Sequence, residues 1–193
     1  MKKRFLVPLL AASIVAISAP VSADDYVIDT KGAHAFVQFK ISHLGYGWVI
    51  GRFNDFSGSF SYDETNPAAS KVSVTINPTS VDSNHAERDK HLRSKDFLKV
   101  DEFSTITFNS TSYEDKGDNK AVLKGDLTLH GVTKSVALDV THIGAGKDPW
   151  GGYRRGFEGT TKLTLKDFGI PMDLGPASRE LEVFVSVEGI KKK

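Results

Sequence analysis

The residue types best suited to chemistry gather in one short segment, HAERDKH, which holds His85, Asp89 and His91. On a helix His85 and Asp89 would share a face at i and i+4, the spacing of a paired metal ligand. His91 breaks that arrangement, because six residues beyond His85 it points about 240° away around the helix. Two structural readings compete with the chemical one. The segment is a solvated charged helix with Glu87–Arg88 or Asp89–Arg93 surface pairs, or its Arg88, Asp89 and His91 hydrogen-bond a rim and hold the helix over it. Elsewhere His34 and His43 bracket an alternating stretch, His130 sits in a turn and His142 ends a strand. The chain has no cysteine and no His-x-His pair, so a zinc site is not expected. Ser57, Ser59 and Ser61 alternate along a strand with no Gly-x-Ser-x-Gly elbow. Gly45-Tyr46-Gly47 and Gly151-Gly152 lack the following lysine and the strand-to-helix setting of a phosphate cradle and read as turns. No catalytic set, metal or cofactor is expected.

The elements that would position such groups are mostly strands. Ser80 to Val100 is the one charged, helix-patterned stretch: it contains no Pro or Gly, Asn84 and Glu87 fit a capping box, and Ser94 could cap a second turn. It predicts one or two short helices. Around it apolar residues recur at every second position. Val37, Phe39 and Ile41 share one face of His34 to His43, with Phe36 off the pattern; Phe56, Gly58, Phe60 and Tyr62 share a face of Phe53 to Tyr62; Val72, Val74 and Ile76 share one of Lys71 to Asn77. After the helical insertion come Ile106 and Phe108, then Leu123, Gly125, Leu127 and Leu129, then Val136, Leu138 and Val140. Phe157, Leu163 and Leu165 follow, and Leu181, Val183, Val185 and Val187 end the series. Glu114 to Asn119 and His130-Gly131 read as hairpin loops, and Gly144 to Gly152 as a Gly-rich loop.

This pattern predicts an all-β fold of eight antiparallel strands, which satisfy their edges best by closing into an up-and-down barrel; a two-sheet sandwich is the alternative. Strands of 10 to 13 residues at ~3.3 Å per residue and a tilt near 40° make a barrel roughly 30 Å long, more than a solid core needs. The inward faces are rich in aromatics, including Phe39, Phe53, Phe60, Phe108 and Phe157, whereas Trp48 and Trp150 fall in loops. A long barrel under a helical lid implies a tunnel for an apolar ligand. His43, Arg88, His91 and Arg155 are the polar candidates for its head group.

Composition sets the remaining bounds. Met1 to Arg4 is basic, Phe5 to Ile17 is apolar, and Val21-Ser22-Ala23 supplies the small residues of a cleavage site. A secretory signal peptide over 1–23 is expected, with residues 24–193 forming one soluble, exported domain. The apolar run is short for a membrane span and contains Pro8. The whole chain has a formal net charge of +1, and the leader carries Lys2, Lys3 and Arg4, so the remainder is slightly acidic and has no electrostatic footprint for nucleic acid. No disulfide stabilises it, so the core must. Alternation leaves monomer and homodimer equally open.

The stretches HAFVQFKISHLGYGWVIGRFNDFSGSFSYD, SVDSNHAERDKHLRSKDFL, GDLTLHGVTKSVALDV and DPWGGYRRGFE resemble the YceI-like family of bacterial periplasmic proteins, over nearly the whole mature chain. The resemblance implies an extended, lipocalin-like eight-stranded barrel whose apolar tunnel holds a long polyisoprenoid or related amphiphile, with no cofactor and no settled catalytic activity. It carries a lining role onto Val37, Phe39, Ile41, Phe53, Phe60, Ile76, Phe108, Leu127, Leu138, Phe157, Val183 and Val185. One departure stands out: Glu102-Phe103-Ser104 replaces the Tyr-Pro that often precedes the strand after the insertion, which should loosen that strand's start and leave the tunnel unaltered. The expected function is sequestration or transport of such a lipid without turnover. Two other readings are an enzyme on isoprenoid or quinone head groups using His85, Asp89 and His91, and a solid-cored envelope-stress protein acting through its surface.

Overall fold

In the computed structural model, which describes residues 23–193, strand follows strand around a closed ring. The strands are β1 (Asp24–Ile28), β2 (Phe36–His43), β3 (Gly47–Phe53), β4 (Phe56–Tyr62), β5 (Lys71–Ile76), β6 (Val81–Asp82), β7 (Ile106–Gly117), β8 (Lys120–Leu129), β9 (Val132–Lys147), β10 (Tyr153–Thr164) and β11 (Glu180–Lys191), and the helix α1 is Ala86–Arg93. The sheet order is β1-β4-β5-β7-β8-β9-β10-β11, and pairing of β1 with β11 closes it into an antiparallel barrel of eight strands. β2, β3 and the short β6 extend the same wall from the other half of β11.

The expected eight strands are present, but two of them are longer and interrupted. β1 pairs with β11 at Gly189 to Lys191 and β2 pairs with it at Leu181 to Ser186, so β1 and β2 lie end to end along one edge. β3 and β4 likewise run end to end, broken at Asn54-Asp55. Trp48, expected in a loop, therefore lies in β3, on its outer face under Lys40 Nζ, 4.5 Å from the ring. Trp150 does lie in the turn between β9 and β10. The polar run expected as a loop from Glu114 mostly continues β7, and the chain reverses at Asp118 and Asn119 with φ of 50° and 60°. Both values suit a two-residue hairpin turn, and His130-Gly131 makes another of that kind between β8 and β9.

The insertion forms one helix, and its N-cap differs from the expected capping box. Asn84 has φ of 62° and lies outside the helix; His85 is the cap, its Nδ1 accepting from Arg88 N–H at 3.2 Å. Ser94 closes the helix at its C-terminal end. Leu92 is the one large apolar residue in AERDKHLR, so the helix cannot be held by an apolar stripe of its own. Its hold comes from what surrounds it: Leu98 N–H returns to Leu92 C=O, and Phe97 and Leu98 pack into the largest apolar cluster with Ile106, Leu129, Phe168 and Ile170. Phe103, where a proline was the expected neighbour, packs on the His130 ring at 4.6 Å and so anchors the approach to β7.

Candidate functional site

The barrel encloses a cavity of about 420 Å³, within the roughly 300–1,000 Å³ range of small-molecule sites. Strand alternation builds it, since every second residue of each strand faces inward. All of Val37, Phe39, Ile41, Phe53, Phe60, Ile76, Phe108, Leu127, Leu138, Phe157, Val183 and Val185 lie in its wall. A Cβ on Gly51 would stand 2.3 Å from the Phe39 ring, one on Gly125 2.4 Å from Phe108, and one on Gly189 2.4 Å from Phe60. Each phenyl therefore takes the space that a side chain at the glycine would use, which keeps that ring against the wall.

The four polar candidates are divided between the two ends of the barrel. His43, Arg88 and His91 line the cavity at the end where α1 sits, and of the wall residues there His43, His91 and Leu174 are exposed. Arg88 is committed to the segment itself: its Nε donates to Ser83 Oγ at 2.8 Å and its Nη2 to Ser83 C=O at 2.5 Å. Asp89 is buried and accepts from Ser83 N–H at 2.7 Å and Ser83 Oγ at 2.5 Å. His91 Nε2 pairs with Asp96 at 3.1 Å. His85, Asp89 and His91 thus each hold a different part of the insertion and do not converge on a common point, and Asp89 is not the surface ion pair considered from sequence. Arg88 and Asp89 bond within the insertion: together they latch α1 to Ser83, beside β6.

Arg155 is the correction among these candidates. It lies at the other end of the barrel, where its strand neighbour is Gly189 near the end of β11, and it is not in the cavity wall. It is 3 % exposed. Its Nε donates to Tyr26 Oη at 3.3 Å, its Nη1 faces His142 Nε2 at 3.2 Å, its Nη2 meets Glu64, and its guanidinium stacks 4.4 Å from the centre of the Tyr62 ring. Burial, and then the charge of Arg155, push His142 below the usual imidazole range, so it is neutral at neutral pH.

Several residues of this end escaped the sequence reading. Tyr26 is fully buried and stacks on Phe60 at 4.7 Å. Ser70 and Tyr113 line the cavity. Ser70 extends the inward series Val72, Val74, Ile76 by one step, which the alternation does signal. Tyr113 follows a β-bulge between Ser110 and Ser112 that shifts the inward phase, and period-two reading has no access to it. Nearby, Asp29, His34 and Glu188 could bring ligand atoms within 4.8 Å of one another. Arg154 already bonds two of them, Asp29 at 2.7 Å and Glu188, together with Asp148 at 3.0 Å, and this holds Asp29 down at about 2.

An antiparallel barrel that is closed on itself, lidded by one short helix and hollow with an apolar wall is a lipocalin-like container. The comparisons then place the chain: the YceI-like domain profile matches residues 26–189. A UPF0312 protein of Shewanella baltica is 59 % identical over 192 residues, covering 100 % of both chains. The crystal structure of a Campylobacter jejuni YceI protein aligns at a TM-score of 0.71 with 30 % identity, covering 79 % of this chain and 91 % of that one. A polyisoprenoid binding domain from Saccharophagus degradans, at a TM-score of 0.62 and 15 % identity over 86 % of this chain and 98 % of its own, shares the fold. The chain belongs to the YceI-like family. No described helix is long and apolar enough to cross a membrane.

Proposed function

We propose that this protein is a periplasmic lipid carrier that sequesters or transports a polyisoprenoid-type lipid in its barrel, without turning it over. The observation that carries this reading is the open, nearly all-apolar lumen, its phenyl rings kept against the wall at glycines. A lipid chain of this kind is nearly insoluble, and each methylene moved from water into such a wall contributes roughly 0.8 kcal/mol, so length alone yields tight binding. The inward residues from Val37 to Val185 named above would line the chain's path. His43, with Arg88 and His91, would border the entrance, the latter two chiefly by holding the lid. The description of the Saccharophagus degradans domain as polyisoprenoid binding supports the ligand class.

A leader over 1–23, which apart from Ala23 lies outside the described residues, would deliver one barrel domain, 24–193, to the periplasm. The test is native mass spectrometry of protein taken without detergent from its own cell envelope, followed by organic extraction. The expected result is a mature N-terminus at Asp24 and one isoprenoid per chain, lost in Phe39→Glu and Phe108→Glu. Lipid-free protein, or full lipid retention in folded charged variants, would overturn the reading.

A further inference from the structure

The end of the cavity away from α1 holds an unsatisfied hydroxyl. Ser70 is 2 % exposed, belongs to the cavity wall, and its Oγ has no hydrogen-bond partner among the described residues. A buried hydroxyl without a partner is unfavourable and rare. Pairing of Ser61 with Lys71 sets Ser70 beside Tyr62 across the β4–β5 ladder, and the Tyr113 ring meets Tyr62 edge-on at 6.1 Å. All three residues face the lumen, so they set a polar spot into its largely apolar wall at this end.

The charge next to that spot is already spent. Arg155 stacks on Tyr62, yet its Nε, Nη1 and Nη2 are directed at Tyr26, His142 and Glu64. A phosphate or carboxylate arriving here would lose its water and gain no free cation, a net loss in a low-dielectric site. An uncharged oxygen suffers no such penalty and can exchange hydrogen bonds with a serine hydroxyl and two phenols.

We propose that Ser70, with Tyr62 and Tyr113 beside it, is a hydrogen-bonding subsite for an uncharged oxygen at one end of an otherwise apolar ligand, such as an alcohol, a ketone or quinone carbonyl, or an amide. The inference rests on the lipid-binding reading above and adds to it a head-group class and a direction. The oxygen enters first, and the hydrocarbon trails toward the exposed wall residues His43 and Leu174 at the helical end.

The experiment compares three probes that share one prenyl chain: geranylgeraniol, geranylgeranyl monophosphate and the corresponding hydrocarbon. Each is titrated calorimetrically into delipidated wild-type protein and the Ser70→Ala variant. In the wild type the alcohol should bind ~5- to 10-fold more tightly than the hydrocarbon, the worth of one added hydrogen bond, and more tightly than the phosphate. In Ser70→Ala the alcohol's advantage should fall to about twofold or less. The affinity for hydrocarbon and the melting temperature should hold or rise, because no described residue bonds this hydroxyl. Equal binding of alcohol and hydrocarbon by the wild type overturns the subsite while leaving lipid binding intact. Ser70→Ala weakening both probes equally, or a preference for the phosphate, also overturns it. If no probe binds, both readings fail.

Discussion

The two ends of the barrel are closed by different physics. At the helical end the plug is apolar: Phe97, Leu98, Phe168 and Ile170 pack into the core, and the piece of chain that delivers two of them is held by the bonds of Ser83 to Arg88 and Asp89. At the opposite end the closure is ionic and aromatic. Arg155 reaches Tyr26, His142 and Glu64, and Arg154 ties Asp29, Asp148 and Glu188 together. The first closure joins a short segment, close in sequence, to a wall. The second joins strands and loops distant in sequence, with partners up to 129 residues apart. A local latch can open while the barrel stays closed, whereas the ionic end cannot be released without disturbing the strands that complete the ring. This difference makes the helical end the closure that a local rearrangement releases and the other end the floor of the ring.

The largest effect should come from attacking both closures in parallel. Arg155→Met should cost about 2–3 kcal/mol in urea unfolding, from the Tyr26 hydroxyl and His142 left without their partner and the lost stacking on Tyr62. Asp89→Ala should cost about 2 kcal/mol, for two Ser83 donors left unpaired. Hydrogen exchange separates the two further: Asp89→Ala should raise exchange in the 83–98 segment alone, and Arg155→Met across β1, β10 and β11. Exchange confined to one segment in both variants would abolish the contrast.

Next in size is the lumen between the ends. Gly51→Ala should drive the Phe39 ring into the cavity at an overpacking cost of about 1–3 kcal/mol and reduce bound lipid per chain, with Thr75→Ala on the outer face as the neutral control. Unchanged lipid content in folded Gly51→Ala would show that the ring has room elsewhere.

The smallest effects are the pH limbs, and both belong to the floor. Bonding to Arg154, then to Gly32 N–H, lowers Asp29 to about 2 when folded, so the unfolded chain binds its proton first. That contribution is fully present above the ordinary carboxylate range near 4 and is lost as pH falls toward 2. Burial, and then its neighbour Tyr62, raise Tyr113 to about 12. The folded state then keeps a proton that the unfolded chain releases near 10, so stability falls between about 10 and about 12. Urea unfolding across pH should show both limbs in the wild type, the acid one reduced in Asp29→Asn, because carboxylates such as Asp148 are lowered as well, and the alkaline one reduced in Tyr113→Phe. An acid limb of unchanged depth in Asp29→Asn would assign it to those other carboxylates.

Period-two alternation makes the wall legible in the sequence. Inward residues such as Phe39, Leu127 and Val185 are set by the pleat of their own strands, and one strand's pattern is enough to assign them. The signals that failed were those that alternation cannot carry. The bulge before Tyr113 shifts phase with no change in residue type, and β1 is too short to show a period. Asn84 and Glu87 satisfied a capping rule, yet His85 took the cap because Asn84 adopts a left-handed backbone.

What the sequence determined by itself was therefore the local layer: an all-β chain, the inward faces, the hairpin turns and one charged insertion. These follow from steric and hydrophobic preferences acting over two to four residues. The tertiary structure alone decided that the rings take the side-chain space at Gly51, Gly125 and Gly189, and that a cavity remains where the composition allowed a solid core. It also decided that Arg155 is spent on Glu64, Tyr26 and His142 while the Ser70 hydroxyl has no partner among the described residues. Those outcomes depend on which strands become neighbours, and ring closure, not any single strand's pattern, sets that.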